Sequence, residues 1–250
     1  MTGGLREALE LVAELATAAE FPKTIEVNGK QYTTQSLREV GKTPKAEELR
    51  ATTLTSLMDY IRDSRNELHE RMIIQVINPK RVELMTGLTE ERDRETLFVA
   101  KAETPEFRYD AEYGQKEFMI AIQSCFEIGL NDDRALLQSL AGNIDAKQEV
   151  NYSDDGVTQI CVARTGVATK ENVLVPNPVT LTPFRTFYEV EQPESEFVFR
   201  IENRGDAPKF KLIEADGGRW KYEAMQQIKE YILKKLQEEP VEGVHFTVIA

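Results

Sequence analysis

Histidine and cysteine are the residue types in this sequence best suited to nucleophilic or metal chemistry, and only four are present. His69 lies in a charged segment, and His245 lies in a run that alternates apolar and polar residues. Cys125 and Cys161 lie in apolar contexts and lack the Cys-x-x-Cys spacing that zinc sites use. We therefore expect surface or packed histidines, buried reduced thiols and no metal site.

Phosphate-binding and hydrolase motifs are also missing. The sequence contains no Walker loop, no Rossmann glycine pattern and no Gly-x-Ser-x-Gly elbow. Gly217 and Gly218 lie between a predicted strand and a predicted helix, but the preceding Asp216 would repel phosphate. This segment predicts a tight turn, with Asp216 as a helix-capping group. The sequence favours a protein that is not an enzyme and needs no cofactor, although its many carboxylates leave a metal-dependent enzyme open as an alternative.

Two alternating segments, FVFRIE and KFKLIE, predict adjacent strands with an apolar inner face and a charged outer face. A basic sheet face can bind an anion or a single nucleic acid strand. Glutamates on the same strands (Glu196, Glu202 and Glu214) favour cross-strand ion pairs instead. The candidate binding residues are Arg200, Lys209 and Lys211, joined by Arg185 where the register allows.

The overall charge argues against nucleic acid as the partner. The chain carries 31 basic and 43 acidic residues, a net charge of −12, and no basic cluster of the kind that nucleic-acid-binding proteins show. No apolar run approaches the ~20 residues that a membrane span needs. Glutamates interrupt the apolar N-terminal stretch, which is untypical of a secretory signal. We expect an acidic cytoplasmic protein without a membrane partner.

The N-terminal 45 residues predict a separate appendage. Apolar residues recur at helical spacing over roughly residues 5–19, and Pro22 ends the pattern. Asn28-Gly29 between two short β-prone runs predicts a two-residue hairpin. A polar stretch broken by Gly41 and Pro44 then predicts a linker.

The remaining residues, 46–250, predict one main α+β domain. Apolar spacing indicates helices near 54–61, 115–126, 133–144 and 220–236, and alternation indicates strands in between. A mainly antiparallel sheet is expected over residues 147–215, with strands near 147–153, 157–164, 178–188, 196–203 and 208–215. We expect the helix near 220–236 to close one side of this sheet.

The only tryptophan, Trp220, opens this last predicted helix. We expect its ring to be a buried packing anchor between the helix and the sheet. The alternative is a platform for a ligand.

Several segments together suggest a family. They are ATTLTSLMDYI, the EFMIAIQ helix, VPNPVTLTPFRTFYEVEQPESEFVFRI and KLIEADGGRWKYEAMQQIKEYI, spread over roughly residues 50–235. In order and character they resemble the uncharacterised YfdQ-like family of bacteriophages and prophages, a domain of unknown function. The resemblance implies a phage-encoded accessory protein in the host cytoplasm. It brings no active-site residues.

These observations support a ranked set of functions. The first is a non-enzymatic phage or prophage accessory protein that acts by binding and forms a homo-oligomer, because amphipathic elements and an apolar C-terminal strand need a cover. The second is a metal-dependent enzyme acting on nucleotides or nucleic acid. The third is an inhibitor that binds a host defence protein through its acidic surface.

Overall fold

A computed structural model of the protein describes residues 8–13, 24–27, 30–33, 45–89, 92–129, 133–144, 151–152, 159–165, 169–175, 177–204 and 207–250. The chain divides into two compact units, residues 1–45 and 46–250. Within these described ranges the structure shows an α+β fold, as the sequence predicted.

The strands are numbered in chain order. They are β1 (Thr24–Val27), β2 (Lys30–Thr33), β3 (Leu49–Ala51), β4 (Arg71–Asn78), β5 (Arg81–Thr86), β6 (Thr96–Lys101), β7 (Tyr113–Gly114), β8 (Asn151–Tyr152), β9 (Gln159–Thr165), β10 (Thr169–Val175), β11 (Val179–Leu181), β12 (Ser195–Arg204), β13 (Ala207–Glu214) and β14 (His245–Ile249).

The described part of the larger unit contains four α-helices. They are α1 (Leu54–Asp63), α2 (Gln115–Cys125), α3 (Arg134–Asn143) and α4 (Arg219–Glu238). Thr53 caps the start of helix α1, because its side chain accepts a hydrogen bond from the Ser56 backbone N–H at 3.1 Å. A single 3-10 turn, Arg65–Glu67, follows it.

In the smaller unit, β1 and β2 pair antiparallel, with Val27 opposite Lys30. This pairing is the hairpin that Asn28-Gly29 predicted. Residues 8–13 are helical and exposed. The rest of the predicted N-terminal helix and the predicted linker lie outside the described residues.

Sheet I has five strands in the order β14-β4-β5-β6-β3. Its central strands are antiparallel, whereas β14 joins β4 and β3 joins β6 in parallel. Strands β4 and β5 alternate fully buried residues with partly buried ones, which directs one face of the sheet into a core. Helices α1 and α4 cover that core, together with Phe187.

Sheet II has four antiparallel strands in the order β11-β12-β13-β7. Its inner face carries three phenylalanines, Phe197, Phe199 and Phe210, which are fully buried. Helices α2 and α3 cover them, and Phe118 of α2 stacks on Phe199 and Phe210 at centroid distances of 5.6 and 5.2 Å. Period-two alternation of large apolar residues therefore positions β12 and β13, as the sequence predicted.

Sheet III has three antiparallel strands in the order β10-β9-β8. Together with sheet II it confirms a mainly antiparallel C-terminal half. Strand β10 had not been expected, because TKENVLV places two charged residues and an asparagine in its first half. Pairing with β9 along its whole length overrides that weak local propensity.

Two expectations for the C-terminal half are wrong. Helix α4 does not close the C-terminal sheet, because its buried Ile228 and Ile232 belong to the core of sheet I. The predicted strand at 178–188 is reduced to β11, which ends at Leu181. The apolar stripe of a helix identifies the face that is buried but not the sheet that buries it.

Residues 182–194, here called the 182–194 loop, connect β11 to β12 and tie the two cores together. The Phe187 ring lies in the core of sheet I. The Thr186 hydroxyl donates to the Pro79 carbonyl at 2.5 Å, and the Glu189 carboxylate accepts from the Thr55 backbone N–H at 2.9 Å. These contacts attach the loop to elements that are far from it in sequence.

Candidate functional site

Arg185 lies at the start of the 182–194 loop and not on the outer face of sheet II. Its side chain is only 6% exposed, whereas a ligand-binding arginine on an open sheet face would be solvated. The grouping of Arg185 with the three outer basic residues is therefore wrong. The break in the strand after Leu181 is the physical reason, because it turns the chain toward the inner side of the sheet.

A network of polar groups surrounds the buried Arg185 guanidinium. Arg185 Nη1 donates to Glu214 Oε1 at 2.9 Å, and Nη2 donates to the Ser195 hydroxyl. Ser195 Oγ in turn donates to Asp216 Oδ2 at 2.6 Å, and Asp216 Oδ1 accepts from the Gly218 backbone N–H at 2.9 Å. The network joins the loop, the first residue of β12, the last residue of β13 and the turn before α4.

Aromatic rings complete the surroundings of Arg185. Its guanidinium carbon lies 4.1 Å from the centroid of the Trp220 ring and 5.7 Å from that of Phe197. A cation over a ring face is attracted by the ring quadrupole, most strongly where water is excluded. Tyr109 stacks on the other partner ring, Phe197, at a centroid distance of 5.5 Å.

Burial and neighbouring charges shift the pKa values of three groups in and around the network. Burial lowers the pKa of Arg185 below its ordinary value, while Tyr109 and Glu214 oppose the shift. Burial would raise the pKa of Asp216, but hydrogen bonds from Ser195 and Gly218 outweigh it and hold that pKa below its ordinary value. Burial raises the pKa of Tyr109 above its ordinary value.

This network lacks the features of a nucleophilic site. Ser195 donates its proton to a carboxylate of lowered pKa, which is a weak base. The group that contacts the other side of its oxygen is Arg185, which is a donor and cannot accept a proton. We interpret the network as a structural clamp at the junction of loop, sheet and helix.

The Trp220 side chain is only partly buried, so the expectation of a buried ring is met only in part. Its ring nonetheless packs at the junction, under Arg185. The indole Nε1 has no hydrogen-bond acceptor among the described residues. Asp216 accepts from Gly218, which fits the capping role that the sequence predicted for this turn.

The other three candidate residues do share the outer face of sheet II. Arg200 lies opposite Lys211, and Lys209 lies opposite Glu202. Lys211 Nζ forms an ion pair with Asp110 Oδ1 at 2.6 Å, and this hydrogen bond raises the Lys211 pKa. Glu214 does not share this face. It lies two residues after Leu212, on the inner side of the sheet, and pairs with Arg185. The face is therefore mixed in charge.

The histidine and cysteine side chains that the structure describes belong to no metal cluster. His69 and His245 are exposed, and Cys125 is a buried free thiol, as expected. The side chain of Cys161 lies outside the described residues. Within the described ranges no three histidine, cysteine, aspartate or glutamate side chains form a cluster that could hold a metal ion.

Strand β14 is an open edge of sheet I. Its inward residues, Phe246 and Val248, are only partly buried, and its other residues are exposed. His245 N donates to the Glu70 carbonyl at 2.7 Å, so alternate residues bond to β4 and the intervening ones direct their backbone groups outward. The segment HFTVI contains no aspartate, glutamate, lysine, arginine or proline.

The described part of the chain contains no helix long and apolar enough to cross a membrane. Comparisons of the chain with protein-family models, with curated proteins and with solved structures found no match. Membership of the phage family therefore stays a prediction.

Two residues of the Arg185 network could not be singled out in the sequence. Gln192 is buried, and its Oε1 accepts from the backbone N–H groups of Arg185 and Thr186 at 2.8 and 3.2 Å. Ser195 joins Arg185 to Asp216. Gln192 lies beside Pro193 in a segment that has neither helical nor strand periodicity, so no sequence pattern marked it.

Proposed function

We propose that this protein is a non-enzymatic phage accessory protein of the host cytoplasm that acts by binding and associates with itself through β14. The single observation that carries self-association is the uncharged open edge of β14. The phage setting is supported only by the resemblance of its segments to the YfdQ-like family. No observation within the described ranges favours the metal-dependent nucleotide enzyme.

The other described edges of sheets I, II and III are protected. Strands β3 and β11 have three residues each and β7 and β8 have two, and short edges offer few unpaired backbone groups. Strand β10 is longer but carries Lys170 and Glu171. Charged side chains on an edge oppose pairing with a second chain. Strand β14 has neither protection, which favours it as the pairing edge.

The simplest assembly is a two-fold dimer in which β14 of each copy pairs antiparallel with the other. Two-fold interfaces are the commonest in soluble homo-oligomers, and they need a patch that matches itself. Such pairing would satisfy the outward backbone groups of Phe246 and Val248. Stable interfaces bury ~800 Å² on each partner, so the neighbouring α4 helices must also contribute.

The test is sedimentation velocity of the full chain over a wide concentration range. Thr247 is exposed on β14, so Thr247→Lys places a charge on the edge without disturbing the core. In a two-fold pair centred near this residue the lysines would repel each other. We expect wild type to dimerise, Thr247→Lys to weaken dimerisation about tenfold or more, and Thr247→Val to retain it. A wild-type monomer at every concentration would overturn the proposal.

A further inference from the structure

The outer side of the 182–194 loop borders a cavity of about 820 Å³ between the loop, the end of α2 and α4. Here it is called the acidic groove. It is lined by five carboxylates, and its described lining contains no lysine, arginine or histidine. The five are Glu127, Glu189, Glu191, Glu194 and Glu223.

A neighbouring cavity of about 540 Å³ extends the acidic groove toward the Arg185 network. The two cavities share Glu194 and Glu223 in their linings. The second cavity adds Glu196 and Asp216, and its one basic lining residue, Arg219, is already paired with Glu223 at 2.7 Å. The negative potential therefore continues along the whole depression.

Most of these carboxylates have no ion-pair or hydrogen-bond partner among the described residues. Glu127, Glu191, Glu194 and Glu196 form no ion pair or side-chain hydrogen bond within the part of the chain that the structure describes, and all four are exposed. Like charges held close together without counter-charges repel one another. An arrangement of this kind lowers the free energy of a bound cation and raises that of the empty protein.

A second observation points to a ligand that donates hydrogen bonds. Thr182 lines the acidic groove and is 95% buried, yet its hydroxyl has no hydrogen-bond partner among the described residues. The side-chain oxygen of Gln227, also in the lining, is likewise without a partner there. A buried polar group without a partner costs ~1–3 kcal/mol. Both oxygens are shielded from solvent in the empty groove, so a ligand donor recovers this cost only after the side chain turns toward the groove.

The apolar part of the lining also suits an organic cation. Tyr188 is 62% exposed and lies beside Phe184, with ring centroids 5.5 Å apart. Ile128, at the other wall, is 81% exposed. Aromatic faces attract guanidinium and ammonium groups, and apolar side chains pack on the aliphatic stems of arginine and lysine.

We propose that the acidic groove binds an extended, arginine-rich peptide segment of a partner protein. Charge complementarity is the basis for this occupant, because the described lining offers carboxylates, orphan oxygen acceptors and ring faces but no basic group. Arginine matches all three, since its planar guanidinium carries five donors, is always charged and stacks on rings. The groove is separate from β14 and does not depend on the proposed dimer.

The experiment measures fluorescence anisotropy of a labelled oligoarginine peptide titrated with the full-length protein at low salt. Wild type should bind saturably, and binding should weaken as salt screens the charges. Glu191→Gln/Glu194→Gln should weaken binding about tenfold. The matched control is Glu47→Gln/Glu70→Gln, which removes the same charge from exposed residues outside both cavities and should leave affinity within about twofold.

Two further arms separate local recognition from general attraction. Thr182→Val removes the orphan hydroxyl and should weaken oligoarginine binding several-fold while keeping the net charge. The unfolding midpoint should stay the same or rise, because the substitution also removes the cost of the unpaired hydroxyl. Spermine, a small polyamine, should compete only weakly. Equal loss in the groove and control double variants, or no saturable binding by wild type, would overturn the proposal. Spermine binding as tight as that of the peptide would also overturn it and assign the groove to small polyamines.

Discussion

Replacing Arg185 by methionine tests whether the Arg185 network clamps the fold. Methionine keeps a flexible apolar stem against Phe197 and Trp220 but removes the guanidinium, its bonds to Glu214 and Ser195, and the cation over the indole ring. The substitution therefore deletes the charge while retaining much of the packing.

The magnitude follows from burial. Removing one partner of a buried ion pair typically costs ~3–5 kcal/mol. The Glu214 side chain is 36% exposed, so its carboxylate can regain water when Arg185 is removed. The expected cost is therefore at the lower end of this range. The lost ring contact adds to the cost by up to ~2 kcal/mol, and methionine packing recovers part of it. We expect Arg185→Met to lower the free energy of unfolding by about 3 kcal/mol.

The assay is equilibrium urea unfolding of the full chain, followed by circular dichroism. A loss of this size should lower the midpoint by about 1–2 M. Arg200→Met, on the outer face of the same sheet, is the matched control and should cost ~1 kcal/mol or less. In a double-mutant cycle with Glu214→Gln, the coupling energy should be about 1–2 kcal/mol. Equal midpoints for Arg185→Met and Arg200→Met would refute the clamp and return Arg185 to the set of ligand-binding candidates.

Three further predictions concern the same region and the entry to α1. Gln192→Ala leaves the buried backbone N–H groups of Arg185 and Thr186 without their acceptor and should cost about 2–3 kcal/mol in urea unfolding, whereas an unchanged midpoint would show that another group replaces it. The Asp216 pKa is lowered in the folded protein, so its carboxylate stabilises the fold at neutral pH and this stabilisation is lost as pH falls below ~4. Asp216→Asn should therefore be less stable than wild type at pH ~7, with the difference shrinking in acid unfolding, and a difference independent of pH would contradict the assignment. Thr53→Ala should cost ~1 kcal/mol by removing the cap of α1, and Thr53→Ser should restore most of it in thermal unfolding.

The sequence by itself determined the helices, strands and turns that short local patterns encode. Alternation in β12 and β13, helical spacing in α1 and α2, and the Asn-Gly hairpin were all predicted from such short windows, and the structure confirms them. Hydrophobic periodicity depends on which face is buried, so it survives without knowledge of the partner. The α+β class and the mainly antiparallel C-terminal half follow from those elements.

Tertiary structure alone decided which elements meet. Helix α4 has an apolar stripe that either sheet could have covered, and the parallel pairing of β14 with β4 accompanies its packing on sheet I. In the sequence Arg185 resembled a residue on the outer face of the sheet. In the structure the strand ends at Leu181, and the Arg185 side chain is buried among groups from four separate segments. The acidic groove has the same origin, since glutamates that look like ordinary solvated surface in the sequence become neighbours only when the 182–194 loop folds beside α4. Contacts between residues distant in the chain depend on the register and packing of whole elements, and no local pattern encodes them.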